Sequence, residues 1–72
     1  MKIKNKIKIT VNGKQIQVIP NFPLKSLIIK LKIPLNKIAI ELNKKIIDKK
    51  MISKINLQKG DKIEIVHFIG GG

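Results

Sequence analysis

Residues 6–18 read KIKITVNGKQIQV and contain the pattern that decides the fold. Along residues 2–11, apolar residues alternate with lysines, a period of two that is typical of a half-buried strand whose lysines face water. The pair Asn12-Gly13 follows and favours a type I′ hairpin turn, because both central residues of that turn need positive φ. Residues 15–18 alternate back, so the chain is predicted to open with a β-hairpin.

The segment NFPLKSLIIKLKIP, over residues 21–34, changes the period of the apolar residues. They recur at intervals of three and four and form one stripe along a helix: Leu24, Leu27, Ile28 and Leu31. Pro23 is compatible with the first helical turn, and Pro34 is predicted to stop the helix. The sequence therefore predicts one amphipathic helix after the hairpin.

The rest of the chain predicts two longer strands with short elements between them. The sequence IAIELN at residues 38–43 alternates as a third strand, and residues 46–47 form a brief edge strand. Residues 48–57 are predicted to form a loop or a single helical turn, in which Met51 and Ile52 fill the core. After a turn around Gly60, the last strand runs over residues 62–68.

This order of elements predicts an α+β fold of the ubiquitin-like β-grasp type. A mixed four- to five-stranded sheet carries one main helix on one face, and the last strand is expected beside the first. We expect residues 1–69 to form this domain and residues 70–72 to form a flexible glycine tail.

The length and composition exclude several classes of function. A chain of 72 residues buries only about 60% of its unfolded surface, which leaves little room for an enclosed catalytic cleft. It contains no cysteine, so disulfides, thiolate metal sites and cysteine nucleophiles are excluded. No apolar run approaches the ~20 residues of a membrane span, so we expect a soluble protein.

The net charge of +12 would ordinarily suggest nucleic acid as a partner. All 16 basic residues are lysines, however, and tyrosine and tryptophan are absent, so few groups could read or stack on bases. Isoleucine, lysine and asparagine have A/T-rich codons and supply 39 of the 72 positions. We therefore attribute the basicity mainly to genome composition, expect no specific nucleic-acid partner, and predict a plastid stroma or a bacterial cytoplasm as the location.

Three consecutive glycines end the chain: Gly70, Gly71 and Gly72. An ordinary frayed terminus is one explanation, since chain ends are often disordered. The other is a functional tail, because glycine lacks a Cβ and lets an extended chain approach another protein's backbone closely. The apolar strand directly before the glycines makes the second explanation worth testing.

The quoted motifs resemble those of the ThiS family of sulfur carriers in thiamine biosynthesis over nearly the whole chain. They are VNGK at residues 11–14, IAIELN at residues 38–43 and, most specifically, LQKGDKIEIVHFIGGG at residues 57–72. The resemblance implies that an E1-like adenylyltransferase and ATP convert the carboxylate of Gly72 to an acyl-adenylate. A persulfide from a sulfur-donating enzyme would then yield a thiocarboxylate, which delivers its sulfur to thiazole synthase. The resemblance thus implies a carrier that is not itself an enzyme and binds no cofactor of its own.

A carrier of this kind needs a docking surface near its tail. If Ile63 and Ile65 face the core, strand alternation turns Val66 and Phe68 to the open face of the sheet. We therefore predict partner docking at Val66, Phe68 and Ile69, with the free carrier a monomer and no membrane contact. The alternative to docking is that Phe68 folds back and covers the end of the sheet.

Other chemistry-bearing residues have ordinary explanations. His67 lies beside the tail but has no hydroxyl near it in sequence, so a structural or interface role is favoured over catalysis. The four acids are isolated and lack metal-ligand spacing: Glu41, Asp48, Asp61 and Glu64. Two alternatives to a thiamine sulfur carrier remain open: a molybdopterin-type carrier or ubiquitin-like modifier, and a basic nucleic-acid-binding module.

Overall fold

The computed structural model describes residues 5–68 of the chain. The elements follow in this order: β1 (Ile7–Val11), β2 (Lys14–Val18), α1 (Leu24–Lys30), a first 3-10 helix (Leu35–Lys37), β3 (Ile38–Leu42), β4 (Lys45–Ile46), a second 3-10 helix (Lys49–Lys54) and β5 (Lys62–His67). The predicted order of strands and helix is confirmed. The turn at Asn12 and Gly13 has φ of 49° and 82°, which confirms the predicted hairpin turn.

The strands form one mixed sheet of five in the order β2-β1-β5-β3-β4. Two hairpins flank the last strand, which runs parallel to β1 and antiparallel to β3. The predicted pairing of the last strand with the first is therefore confirmed, as is the α+β β-grasp class. β5 is therefore the central strand, and the described part of the chain ends one residue after it, at Phe68.

The core lies between the helix and one face of the sheet. Its buried members are almost all at the positions that alternation and helical spacing predicted: Ile9, Val18, Leu24, Leu27, Ile28, Ile38, Ile40, Ile52, Leu57, Ile63 and Ile65. All of them are aliphatic, and no polar side chain in residues 5–68 is buried with them. The helix and sheet are thus held together mainly by removal of apolar surface from water.

The end of α1 corrects one prediction. The helix ends at Lys30, before the predicted stop at Pro34, and Leu31 is 38% exposed instead of completing the apolar stripe. Three backbone hydrogen bonds close the helix: Leu31 N to Leu27 O at 3.0 Å, Lys32 N to Ile29 O at 3.0 Å and Ile33 N to Ile28 O at 3.3 Å. This is a Schellman motif, and Lys32 occupies its left-handed position with φ of 58°, where glycine is usual.

The second 3-10 helix corrects another prediction. Ile52 is buried as predicted, but Met51 is 44% exposed and does not fill the core. A 3-10 helix has three residues per turn, so neighbouring side chains point in directions about 120° apart. Only one of the two can face α1, and the prediction that both fill the core is wrong for this reason.

Candidate functional site

The last strand, β5, presents two different sides. Ile63 and Ile65 are 0% and 6% exposed, whereas Val66 and Phe68 are 56% and 55% exposed. The predicted alternation is therefore confirmed, and so is the exposure of Val66 and Phe68. Two large apolar side chains lie at the surface where the described part of the chain ends, beside the sequence segment that leads to the glycines.

The hairpin turn after β1 holds β5 on one side. The backbone N–H of Asn12 donates to the carbonyl of Ile63 at 2.9 Å, and its side chain continues the ladder. Asn12 Oδ1 accepts from the N–H of Ile65 at 2.7 Å, and Nδ2 donates to the carbonyl of Ile65 at 3.2 Å. The side chain of Asn12 thus replaces a strand residue where β1 has already turned away.

The turn between β3 and β4 holds the start of β5 on the other side. Asn43 donates its N–H to the carbonyl of Lys62 at 2.7 Å, and Asn43 Oδ1 accepts from the N–H of Lys62 at 2.9 Å. Asn43 Nδ2 donates to Asp61 Oδ1 at 3.0 Å, while Asp61 Oδ2 accepts from the N–H of Gln58 at 2.8 Å. Both asparagines have positive φ, 49° at Asn12 and 52° at Asn43, so two turns of the same kind clamp one strand.

Phe68 is held at its backbone and at its ring. Its N–H donates to the carbonyl of Lys37 at 2.9 Å, which extends the pairing with β3 by one residue. Lys49 Nζ lies 5.3 Å from the centroid of the ring and donates to the carbonyl of Leu35 at 3.0 Å. The sequence gives no signal for this contact, because Lys49 is one of many lysines and lies 19 positions before Phe68.

The face of the sheet opposite α1 is apolar in part and acidic at its centre. Ala39 lies opposite Val66, and Ile46, 80% exposed, lies opposite Glu41 on the edge strand. Glu41 also lies directly opposite Glu64 across β3 and β5. These two acids are therefore not isolated, which corrects the sequence-based expectation. Their proximity depends on strand register, and nothing in the local sequence shows it.

The other two acids have the turn roles that the sequence indicated. Asp48 Oδ1 accepts from the N–H of Lys50 at 2.9 Å and caps the second 3-10 helix, and Asp61 closes the turn before β5. The His67 ring is exposed and makes no hydrogen bond to another residue of the described range. Within residues 5–68 no three His, Asp or Glu side chains cluster closely enough to hold a metal ion.

A cleft between β2 and α1 has a volume of about 150 Å³. Its lining residues are Lys6, Gln17, Val18, Ile19, Phe22 and Lys30. Pockets for small molecules usually have volumes of about 300–1,000 Å³, so this cleft is small for one. In the part of the chain that the structure describes, no helix is long and apolar enough to cross a membrane.

The predicted covalent site and one predicted docking residue lie outside the described residues: Ile69, Gly70, Gly71 and Gly72. They stay predictions from the sequence. Along the sequence, Val66 and Phe68 lie six and four positions before Gly72.

The chain is similar to thiazole synthases and to a sulfur carrier protein. The chain is 33% identical over 66 residues to the thiazole synthase of Paramagnetospirillum magneticum; the match covers 92% of this chain and 20% of that protein. It is 55% identical over 38 residues to the sulfur carrier protein ThiS of Bacillus subtilis, a match that covers 51% of this chain and 58% of that protein. The chain thus spans only about a fifth of the length of the thiazole synthases that it matches.

Among solved structures, the chain is similar to the thiamine biosynthesis protein ThiS of Geobacter metallireducens. The crystal structure of that protein superposes with a TM-score of 0.80 at 28% sequence identity, covering 92% of this chain and 100% of that one. The family model of the ThiS family matches residues 9–72, which include all of the sheet except the first two residues of β1, the helix and the terminal glycines. The chain therefore belongs to the ThiS family.

Proposed function

We propose that this protein is a sulfur carrier of thiamine biosynthesis, acting in formation of the thiazole ring. The observation that carries the proposal is the family match, which extends from Ile9 in β1 to Gly72. The protein is then a cosubstrate on which enzymes act, and the reactive group is its own terminal carboxylate. We place it in a plastid stroma or a bacterial cytoplasm, on the evidence of its amino-acid composition alone, which is rich in residues with A/T-rich codons.

The chemistry follows from the low reactivity of a carboxylate. An E1-like adenylyltransferase would let a carboxylate oxygen of Gly72 attack the α-phosphorus of ATP, which releases pyrophosphate and forms an acyl-adenylate. The terminal sulfur of an enzyme persulfide would attack the acyl carbon and displace AMP. A thiol would then attack the enzyme cysteine sulfur of the resulting S–S bond, leaving the thiocarboxylate on Gly72 and a disulfide between that thiol and the enzyme cysteine.

The hydrogen bonds of β5 and the exposed side chains at its end support this proposal. The side chains of Asn12 and Asn43 hold β5 in the centre of the sheet through hydrogen bonds to Ile65 and Lys62. Val66 and Phe68 offer apolar contact area at the end of β5. Exposed apolar groups beside a functional terminus suit a docking surface, which we extend to Ile69 and assign to the adenylyltransferase.

The thiazole synthase relatives support the identity of the sulfur acceptor. In those proteins a segment similar to 92% of this chain makes up a fifth of a longer polypeptide. A carrier-like segment joined to a thiazole synthase suggests that the two act on each other, because joining raises their effective concentration. We propose a thiazole synthase as the sulfur acceptor for this chain.

Intact mass spectrometry tests the proposal. The protein is incubated with an E1-like adenylyltransferase, ATP and a persulfide donor, and we expect its mass to rise by the difference between sulfur and oxygen. A variant that lacks Gly72 should fold with unchanged thermal stability but gain no sulfur. An unchanged mass for the wild type with a partner that modifies its own carrier would contradict the proposal, as would sulfur on the truncated variant.

Transfer to the acceptor distinguishes the carrier classes. The thiocarboxylate form should lose its sulfur to a thiazole synthase and not to a molybdopterin synthase. Retention of sulfur with the first and loss with the second would favour the molybdopterin-type carrier, and attachment to lysines of other proteins would favour a modifier.

A further inference from the structure

Lys49 differs from the other lysines of the described residues. The structure describes 14 of the chain's 16 lysines, and within that set only Lys49 donates a side-chain hydrogen bond. It is half-buried, whereas the neighbouring Lys50 is exposed. Fixing the Lys49 side chain costs conformational entropy, and its contacts must offset that cost.

The contacts of Lys49 connect the second 3-10 helix with the first 3-10 helix and with Phe68. Its ammonium group donates to the carbonyl of Leu35 at 3.0 Å, in the first 3-10 helix, and lies 5.3 Å from the ring centroid of Phe68. Phe68 in turn donates its backbone N–H to Lys37, at the end of that same helix. The backbone of Phe68 is therefore tied to one short segment, and Lys49 links the ring to the same segment.

This arrangement restricts a side chain that remains available to a partner. Phe68 is 55% exposed, so the ammonium group contacts the ring while leaving more than half of the residue free. Binding usually costs free energy to immobilise interface side chains, and a side chain already restricted in the free protein loses less. A cation beside an aromatic ring at an exposed site supplies a modest restraint of this kind.

We infer that Lys49 is a positioning residue that holds the ring of Phe68 in the orientation with which it meets the adenylyltransferase. The inference rests on the proposed function, since it names a feature of the same docking surface. Lys49 acts through Phe68 and takes no part in the chemistry at Gly72.

Lys49→Met tests the inference, because methionine retains an apolar stem but has no charge or donor. The dissociation constant of the variant for the adenylyltransferase should rise about two- to fivefold, the equivalent of about 0.5–1 kcal/mol, with kcat for adenylation unchanged. Lys50→Met is the matched control, since it removes the same charge from the same helix without a side-chain hydrogen bond, and its dissociation constant should not change. Lys49→Arg should restore most of the affinity.

NMR of the free protein gives an independent measurement. In Lys49→Met the ring resonances of Phe68 should shift and its side-chain order should fall, with both unchanged in Lys50→Met. An unchanged Phe68 ring, or equal losses of affinity in the two methionine variants, would overturn the inference. Failure of the wild-type protein to be adenylated would instead overturn the proposed function, and the ring measurement would still decide whether Lys49 orients Phe68.

Discussion

The two sides of the last strand have opposite environments although their residues alternate within one short segment. Ile63 and Ile65 are buried in the core, while Val66 and Phe68, one residue after the strand, are more than half exposed. The buried side stabilises the domain, because its apolar surface is removed from water on folding. The exposed side gains nothing comparable from folding, and its apolar surface is available to a partner. Single substitutions in β5 and at Phe68 should therefore separate stability from the proposed docking role.

The largest expected effect is on the buried side. Ile63→Ala should lower the free energy of unfolding by about 2–5 kcal/mol, because it removes a fully buried side chain and leaves a cavity in the centre of the sheet. Chemical denaturation monitored by circular dichroism measures the loss. Val66→Ala is the control on the exposed side, and it should change the same quantity by less than about 1 kcal/mol. Equal losses in the two variants would break the contrast between the sides.

A smaller effect is expected at the turn that supports β5. Asn12→Gly removes the two side-chain hydrogen bonds to Ile65 while tolerating the positive φ of the turn, and should cost about 1–3 kcal/mol of unfolding free energy. Lys44→Gly is a matched control, since Lys44 has φ of 71° and makes no side-chain hydrogen bond within the described part of the chain. That control should leave stability unchanged or raise it; a loss in both variants would assign the effect to glycine itself.

The smallest effect on stability is expected at Phe68. Phe68→Ala should change the free energy of unfolding by less than about 1 kcal/mol, as at a surface site, yet weaken binding to the adenylyltransferase by about 1 kcal/mol or more. Paired denaturation and titration calorimetry measure the two quantities. Ile29→Ala removes another exposed apolar side chain, on α1, and should leave affinity unchanged. Several kcal/mol of lost stability would identify Phe68 as a core residue, and unchanged affinity would remove it from the interface.

Much of the fold was predictable because its signals are local. Alternation identified the strands, spacing of three and four identified the helix, and Asn12-Gly13 identified the first turn. The end of α1 was not predictable in this way, because Lys32 adopts a left-handed conformation for which its residue type has no preference. Met51 was misplaced because the choice of the buried residue depends on how the 3-10 helix packs against α1.

The candidate site likewise has some features that were predictable from the sequence and others that were not. The resemblance of residues 57–72 to the ThiS family predicts Gly72 as the covalent site, and alternation predicts the exposure of Val66. Both signals lie in a few consecutive residues. The facing pair Glu41 and Glu64 depends on strand register, which sets partners 23 positions apart.

The sequence by itself determined the family, the element order and which side of each strand is apolar, because these depend on residue type and period. Only the tertiary structure decided which residues meet across the sheet. Asn12 reaches Ile65 over 53 positions, and Lys49 reaches Phe68 through the placement of two 3-10 helices. Such contacts arise from packing of the whole chain around one core, and local propensities carry no information about them.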